Sequence, residues 1–291
     1  MSDAVPNLIA ETQAKYNRST RGHWDHFADH RKKVFDLLVP EGLATGGQLC
    51  VLGAGNCNDL ELPHLLSAFE SVTLVDIDPH AMTSAVERQR VARHSGLILH
   101  GGIDLTAIAA DIARWPQSPP ADRAMADVLN RLETAPMPDV GGPFDVILSP
   151  CILSQICLFA EDTLGKVHPR RLDLRRAIRR RHIRQLVEWL KPGGAGLLVT
   201  DLITTRKLGS LMETHGDRLG DVLNRVVAKS EHFAGLDPPA LKSAFLDDPY
   251  LAGMVTAVTH IDPWRWTLGP AKAFLVYAVR FRRAYGTTLL R

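Results

Sequence analysis

The chain lacks any apolar run that approaches the ~20 residues needed to cross a bilayer, so we expect no transmembrane segment and no membrane partner. Its N-terminus also lacks a basic region followed by an apolar one, and we therefore expect no secretory signal. The formal net charge is only +2, which neither favours nor excludes nucleic acid as a partner. Internal repeats and low-complexity tracts are absent from the sequence as well.

Cysteine is scarce, and its spacing is not that of a metal or redox site. The four thiols, Cys50, Cys57, Cys151 and Cys157, include no CxxC pair. We expect them to be free and to act as small buried apolar groups, as is typical of a cytoplasmic protein. No metal is predicted from them.

Apolar segments that resemble buried strands alternate with helical patterns through the middle of the chain. The predicted strands lie near 48–53, 71–76, 97–100, 144–149 and 195–201. Each is apolar on both faces, as strands of a covered parallel sheet are. The alternation predicts an α/β fold with a doubly wound, mostly parallel sheet and right-handed crossovers. At 291 residues, with 45% hydrophobic residues, the chain fits one enlarged domain.

Helical segments flank this central region. Residues 1–45 are predicted to form an N-terminal helical lid that ends at Pro40, and residues 46–291 to form the main domain. A short helix is predicted from Met125 to Glu133. A helical insertion at about 206–250 is predicted to precede a β-hairpin. The insertion is predicted to hold a long amphipathic helix at 206–232 and a shorter helix at 237–245. The hairpin is predicted to have strands at 255–261 and 273–282 and a tip at 263–270.

Residues 49–59, Leu-Cys-Val-Leu-Gly-Ala-Gly-Asn-Cys-Asn-Asp, are the most informative stretch of the chain. A buried strand runs into a glycine turn, in which Gly53 and Gly55 can take positive φ and bring bare backbone against a ligand. The next strand ends at Asp76, where a ribose hydroxyl pair would need an acceptor. A dinucleotide fold has a third glycine where Asn58 stands here, so a cofactor without phosphate is favoured over a diphosphate.

These motifs resemble those of the class I S-adenosylmethionine (SAM)-dependent methyltransferases. Gly53 and Gly55 match the Gly-x-Gly-x-Gly motif of that family, and Cys57 replaces its third glycine. Other matching segments follow in the order of the family and cover most of the chain: 72–78, 100–106, 144–150 and 191–201. The resemblance implies SAM as cofactor and a seven-stranded sheet closed by an antiparallel hairpin.

The resemblance also implies a set of cofactor-binding residues. Asp76 would accept from the ribose, Ile77 would cover the adenine, and Asp104 would accept from the adenine amino group. The full predicted set is Gly53, Ala54, Gly55, Asp76, Ile77, Asp104, Leu105, Ser149, Pro150 and Arg31. Arg31 is included because a guanidinium fork suits the carboxylate of the cofactor. A structural interpretation stays open, in which the glycines serve a tight turn and the aspartates cap helices.

Methyl transfer requires alignment more than a catalytic triad, so catalytic candidates are few. Ser154 and Gln155 follow the fourth strand and could hydrogen-bond a polar acceptor, although an ordinary helix start is the favoured explanation. His26 and His30 on the lid share a helix face with His23 and are candidates for a general base. Their i, i+4 spacing can also chelate a metal, but we favour a solvated or packing role and predict no metal site.

The nature of the acceptor and two other functions stay open. The Ser149-Pro150 turn departs from the Asn/Asp-Pro-Pro-Tyr/Phe signature of enzymes that methylate amino groups of nucleic acids and proteins, which favours a small-molecule acceptor. Trp264 and Trp266 either wall the acceptor pocket or pack a loop onto the sheet. An NAD-dependent oxidoreductase is one alternative, although no Tyr-x-x-x-Lys motif is present.

The other alternative is a non-catalytic Rossmann-like protein that binds RNA. Eight arginines lie between Arg170 and Arg184, on a predicted helix with an apolar seam. Such a face can bind phosphates. A solvated outer face is favoured, because no aromatic residues that could stack on bases lie between the arginines.

Overall fold

Seven strands of the computed structural model form one mixed sheet, and the structure describes residues 8–38 and 46–286. In chain order the strands are β1 (Gln48–Leu52), β2 (Ser71–Asp76), β3 (Leu97–Gly101), β4 (Phe144–Pro150), β5 (Leu190–Thr204), β6 (Val255–Thr267) and β7 (Ala273–Arg283). Their order across the sheet is β3-β2-β1-β4-β5-β7-β6. Strands β1 to β5 pair in parallel, and β7 pairs antiparallel with β5 and β6. The predicted doubly wound sheet with a closing antiparallel hairpin is confirmed.

Helices cover both faces of this sheet. Those in the described ranges are α1 (Leu8–Thr20), α2 (Ala28–Leu38), α3 (Leu62–Ala68), α4 (Pro79–Arg88), α5 (Ala109–Ile112), α6 (Asp122–Thr134), α7 (Ile152–Leu164), α8 (Arg171–Glu188), α9 (Leu219–Ala228) and α10 (Pro238–Leu246). Helices α2 to α4 enclose one core cluster with side chains such as Leu49 and Val51 of β1, and α5 to α10 enclose the other with Cys50 and Leu52. This alternation follows from the period of two in a strand.

The N-terminal segment is helical, as the sequence predicts. Helix α1 contacts α4 and α5, and a 3₁₀ turn at Asp25–Phe27 connects it to α2, which packs against β6. Pro40, the predicted end of this region, lies outside the described residues. None of the helices in the described ranges is both long enough and apolar enough to cross a bilayer.

Two predicted elements differ from the structure. The single helix expected at 206–232 is instead two 3₁₀ turns, Gly209–Met212 and Gly216–Arg218, followed by the short helix α9. The glycines that begin both turns weaken a continuous helix. The tip expected at 263–270 is also wrong at its start, because β6 continues through Trp266 to Thr267. Pro263 is tolerated there because β6 is an edge strand whose register shifts beside it.

Candidate functional site

A cavity of about 260 Å³ lies where β1, β2, β4 and β5 end, which is the edge at which open α/β sheets bind ligands. Helix α1 and the β6–β7 hairpin complete its wall. The lining residues are Gln13, Tyr16, Asn17, Thr20, Phe27, Gly53, Ala54, Gly55, Asn56, Asn58, Asp59, Asp76, Ile77, Ile103, Asp104, Leu105, Thr106, Pro150, Ile152, Gln155, Ile156, Asp201, Trp266, Leu268, Lys272 and Phe274.

The glycine turn after β1 forms the floor of one half of this cavity. Gly53 has φ +76° and Gly55 has φ +47°, so both lie in the left-handed region that favours glycine. A Cβ on Gly53 would lie 2.6 Å from the Cβ of Ile152, at the start of α7. Cys57, which stands where the related family has a third glycine, also takes a left-handed conformation, at φ +49°. The turn therefore keeps a glycine-like backbone at a position where the sequence has a cysteine.

Asp76 ends β2 with its carboxylate tied to the glycine turn. Its Oδ2 accepts from the Gly55 N–H at 2.8 Å, and its Oδ1 accepts from the Asp78 N–H at 2.8 Å. Burial raises the pKa of Asp76 to about 6, although these N–H groups oppose the shift. A carboxylate offers about four acceptor positions, more than these N–H groups use, so it can also accept from hydroxyl donors in the cavity. Asp78 caps α4 and Asp76 does not, which removes the capping explanation for Asp76.

Asp104 organises the loop after β3. Its carboxylate accepts from the backbone and hydroxyl of Thr106 and from the Ala109 N–H at the start of α5. The capping explanation thus holds in part for Asp104, which also lines the cavity. The carbonyl of Leu105 accepts from Gln185 at 2.9 Å and from Arg181 at 3.3 Å, both on α8. Helix α8 therefore fixes the loop on which Asp104 and Leu105 lie.

The other half of the cavity lies towards β5, β7 and β6. Asp201 of β5 is 5% exposed and accepts a hydrogen bond from the Ser154 hydroxyl of α7. Burial raises the pKa of Asp201 to about 6. Trp266 and Phe274 are directly opposite each other on β6 and β7, with ring centroids 5.1 Å apart. Phe27 meets Trp266 edge to face at 5.0 Å, and these three rings form an aromatic wall.

Of the ten predicted cofactor residues, eight line the cavity and two do not. Gly53, Ala54, Gly55, Asp76, Ile77, Asp104, Leu105 and Pro150 lie together there. Ser149 is fully buried, and its hydroxyl pairs with Nε2 of His182 at 2.8 Å. Arg31 lies outside the cavity lining, because its guanidinium pairs with Glu61 and donates to the carbonyls of Trp24 and Asn58. The structure therefore does not support Arg31 as a partner of the cofactor carboxylate.

Among the predicted catalytic candidates, only Gln155 lines the cavity. Ser154 is buried behind Asp201 and supports that carboxylate. His26 is exposed and stacks on His23 at a centroid distance of 5.2 Å. His30 is 1% exposed and stacks on Trp266, and burial lowers its pKa to about 3. His30 is thus a neutral packing residue, which agrees with the packing role favoured from the sequence.

Asp59 adds a carboxylate that the sequence motifs did not single out. Its Oδ1 is buried, lies 3.6 Å from Nε2 of His30, and has no hydrogen-bond partner within the described ranges. Burial raises the pKa of Asp59 to about 7, and Arg31 opposes this shift. Asp201 was also missed as a site residue. The rule that ligands bind at the carboxyl ends of strands applies to β5 as it does to β4 and could have identified it.

The arginines of α8 divide into two groups. Arg176 and Arg180 are exposed, as the predicted solvated face requires. Arg175, Arg181 and Arg184 are instead engaged inside the protein. Arg175 pairs with Glu161, and Arg184 pairs with both Glu133 and Asp248. Arg181 is buried and donates to four backbone carbonyls. All four cysteines are free and buried, and burial raises the pKa of each thiol above its ordinary value. Within residues 8–38 and 46–286, no group of three His, Cys, Asp or Glu side chains could hold a metal ion.

No family model and no curated protein matches the chain. It is similar to several solved structures at low sequence identity. The N-methyltransferase NodS from Bradyrhizobium japonicum WM9 is 13% identical, with a TM-score of 0.45 over 89% of this chain and 97% of that chain. The magnesium protoporphyrin IX methyltransferase ChlM from Synechocystis PCC 6803, with bound S-adenosylhomocysteine (SAH), is 12% identical, with a TM-score of 0.45 over 89% and 84% of the two chains.

The strand order and the loop geometry are the firmer basis for classification. The sheet has the order β3-β2-β1-β4-β5-β7-β6 with an antiparallel β7, a glycine turn after β1 and a buried acid at the end of β2. These are the features that the sequence motifs predicted from their resemblance to one family. The chain has the fold of the class I SAM-dependent methyltransferases.

Proposed function

We propose that the protein transfers a methyl group from SAM to a small molecule. The observation that carries this proposal is the carboxylate of Asp76, held by the Gly55 N–H at the edge of the cavity where a ribose would lie. SAM would supply a methyl group activated by its positively charged sulfur. The proposed cofactor residues are the eight predicted ones that line the cavity: Gly53, Ala54, Gly55, Asp76, Ile77, Asp104, Leu105 and Pro150.

The helix that follows the glycine turn argues against a diphosphate cofactor such as NAD. Dinucleotide sites use the free N–H groups of a helix that begins at the glycines. Here α3 begins only at Leu62, and its first N–H donates to Oε1 of Gln89 at 2.8 Å. Asn58, at the third glycine position, is buried and accepts from Arg88. The features that would bind a pyrophosphate are thus already occupied.

Two observations support a small acceptor. Helix α1 contributes four residues to the wall of the cavity, so an acceptor has to fit beside this helix. Asn17 of α1 donates to Asp78 at 3.0 Å, and its carbonyl accepts from Asn56 at 2.6 Å, which joins the helix to the cofactor loops. In this proposal residues 1–45 act as a lid on the domain formed by 46–291. The free buried thiols support action in the cytoplasm.

Calorimetry with SAH and NAD tests the cofactor assignment. We expect SAH to bind with a micromolar Kd and NAD not to bind. Asp76→Ala should weaken SAH binding by about 1–3 kcal/mol, because ribose hydroxyls lose their acceptor. Asp127→Ala, which changes an exposed carboxylate on α6, is the matched control and should leave the affinity unchanged.

Circular dichroism and thermal unfolding of each variant establish that it is folded before affinities are compared. Binding of NAD without SAH would refute the proposed function. Equal SAH affinity in Asp76→Ala and in the wild type would refute the role of Asp76 alone.

A further inference from the structure

The cavity has two halves with different chemistry. Asp76 and Asp104 lie at the β2–β3 side, and Asp201 lies at the end of β5. Because β2 and β5 are three strand positions apart, Asp201 is roughly 14 Å from the ribose-side carboxylate. Phe274 is two residues from Val276, the register partner of Asp201, so Phe274 lies on the same face of the sheet as Asp201, with Trp266 opposite it and Phe27 against Trp266. A cofactor that fills the first half would leave the second half for the acceptor.

The charges in the cavity favour a cation. Four carboxylates line it, those of Asp59, Asp76, Asp104 and Asp201, and Lys272 is the single basic residue among the lining residues of the described chain. Lys272 is exposed, and its Nζ lies 5.4 Å from the centroid of Phe274. The charge of Lys272 lowers the pKa of Asp201, but burial raises that pKa by a larger amount. An anionic acceptor in the second half would meet the carboxylate of Asp201 at short range, where repulsion is strong.

Aromatic faces next to a buried carboxylate are a common arrangement for binding an ammonium group. Trp266 is 7% exposed and stacks on both His30 and Phe274, so its own ring is largely covered. Phe274 is the ring that a cation can reach, because the Nζ of Lys272 already lies 5.4 Å from its centroid, and Phe27 closes the edge of the wall. The Ser154 hydroxyl donates to one oxygen of Asp201 and so fixes the orientation of the carboxylate. The remaining lone pairs of that carboxylate can accept from a ligand.

We propose that the acceptor is a small amine, which binds as an ammonium ion between Asp201 and the aromatic wall and gives a proton to Asp201 before it takes the methyl group. This inference rests on the proposed function. The amine nitrogen forms the new N–C bond with its freed lone pair, while the C–S bond breaks and its electron pair stays on sulfur. The product leaves as a methylated ammonium ion, and Asp201 releases its proton to solvent.

Asp201 is the catalytic residue in this scheme, since it touches the acceptor, and Ser154 is a positioning residue. A carboxylate with a pKa nearer neutrality than usual accepts a proton more readily than an ordinary aspartate does. Asp201 is 5% exposed, and its low access to water strengthens the attraction between carboxylate and ammonium.

Calorimetry on the SAH-loaded protein tests the class of acceptor with three probes of matched shape: phenethylamine, 2-phenylethanol and 3-phenylpropanoate. Near pH 7.5 phenethylamine is an ammonium ion and 3-phenylpropanoate is an anion. We expect phenethylamine to bind at least about tenfold more tightly than either of the others, a difference of about 1.4 kcal/mol. Asp201→Asn should abolish this preference and change SAH affinity by less than about twofold, because Asp201 lies away from the ribose side.

Lys272→Met is a second variant, which should change the affinity for phenethylamine in the opposite direction. Removal of this exposed cation should tighten phenethylamine binding a few-fold, because the ammonium ion then meets no like charge. Asp127→Asn on α6 is the control for Asp201→Asn.

The results distinguish a failure of the proposed function from a failure of the amine assignment. Failure of SAH to bind would overturn the proposed function. If SAH binds, the amine assignment is overturned by undetectable binding of phenethylamine, by equal or tighter binding of the alcohol or the acid, by an unchanged preference in Asp201→Asn, or by unchanged or weaker binding of the amine in Lys272→Met.

Discussion

A buried carboxylate such as that of Asp201 destabilises a folded chain wherever it is ionised, because burial removes its water. Lys272, which offsets this effect in part, and the buried thiol of Cys151 are the other ionisable groups that interact with it. The folded-state pKa of about 6 exceeds the ordinary value of 3.8, so the folded chain binds this proton more tightly than the unfolded chain. Its destabilising effect is absent below pH 3.8, grows as the pH rises, and is complete above about pH 6.

Asp201→Asn should therefore raise the melting temperature of the ligand-free protein near pH 7.5. The gain should shrink near pH 4.5, where the wild-type carboxyl is largely protonated. Differential scanning fluorimetry of both proteins across this range measures the effect. Asp127→Asn should show no such dependence, because Asp127 is exposed. A melting temperature that falls equally at both pH values would contradict the assigned environment of Asp201.

Sequence motifs identified the residues around the glycine turn but not the roles of isolated polar side chains. Gly53 and Asp76 belong to a local pattern, strand then turn then strand, whose geometry the chain dictates over short distances. Arg31 is held by Glu61, 30 residues away, and Ser154 is held by Asp201, 47 residues away. Such pairings depend on tertiary contacts, so a pattern within one segment could not predict them.

Helix α8 illustrates the same limit for a whole element. Its apolar residues Leu174, Ile178 and Leu186 are buried, as their spacing predicts. Part of its arginine face, however, is covered by neighbouring elements. Arg181 donates to the carbonyls of Leu105, Leu132, Ala135 and Pro136, and it thereby ties the loops after β3 and α6 to α8. The sequence contains these arginines but not the carbonyls that meet them.

Arg181→Met should lower the free energy of unfolding by about 2–4 kcal/mol, since several buried carbonyls lose their donor. Arg180→Met is the matched control on the same helix. Arg180 is 46% exposed at its side chain and pairs with Glu133, so its loss should cost less than about 1 kcal/mol. Urea unfolding of the two variants measures the difference. Equal losses would show that Arg181 does not stabilise these loops.

The order of elements was predictable because apolar strands and helices alternate along the chain. Burial on both faces was predicted for all five parallel strands, and it is correct for β1, β2, β4 and β5. It is wrong for β3, an edge strand whose Ile98 and Leu99 are exposed. The insertion between β5 and β6 was less predictable, because the apolar stripe that begins at Leu208 continues through turns as well as through α9. Periodicity alone does not separate a long helix from a broken one whose residues face the same core.

At the scale of the whole molecule, the net charge is only +2, and the internal pairing of Arg175 and Arg184 reduces the positive charge that α8 offers to a phosphate backbone. We expect fluorescence anisotropy with a labelled single-stranded RNA to show weak binding. A plot of the logarithm of the association constant against the logarithm of salt concentration should have a slope smaller in magnitude than about 2. Arg176→Glu, at an exposed position of α8, should leave the slope unchanged within error. A steep slope that this substitution reduces would restore the RNA-binding alternative.

The contact between Gly53 and Ile152 has a consequence for how the two halves of the cavity communicate. Ile152 occupies the space that a side chain on Gly53 would need, so the glycine turn after β1 is in direct contact with the start of α7. We therefore expect a ligand that moves the glycine turn to move the start of α7 as well. Any cooperativity that this contact produces between the two halves of the cavity must be reciprocal and equal in both directions.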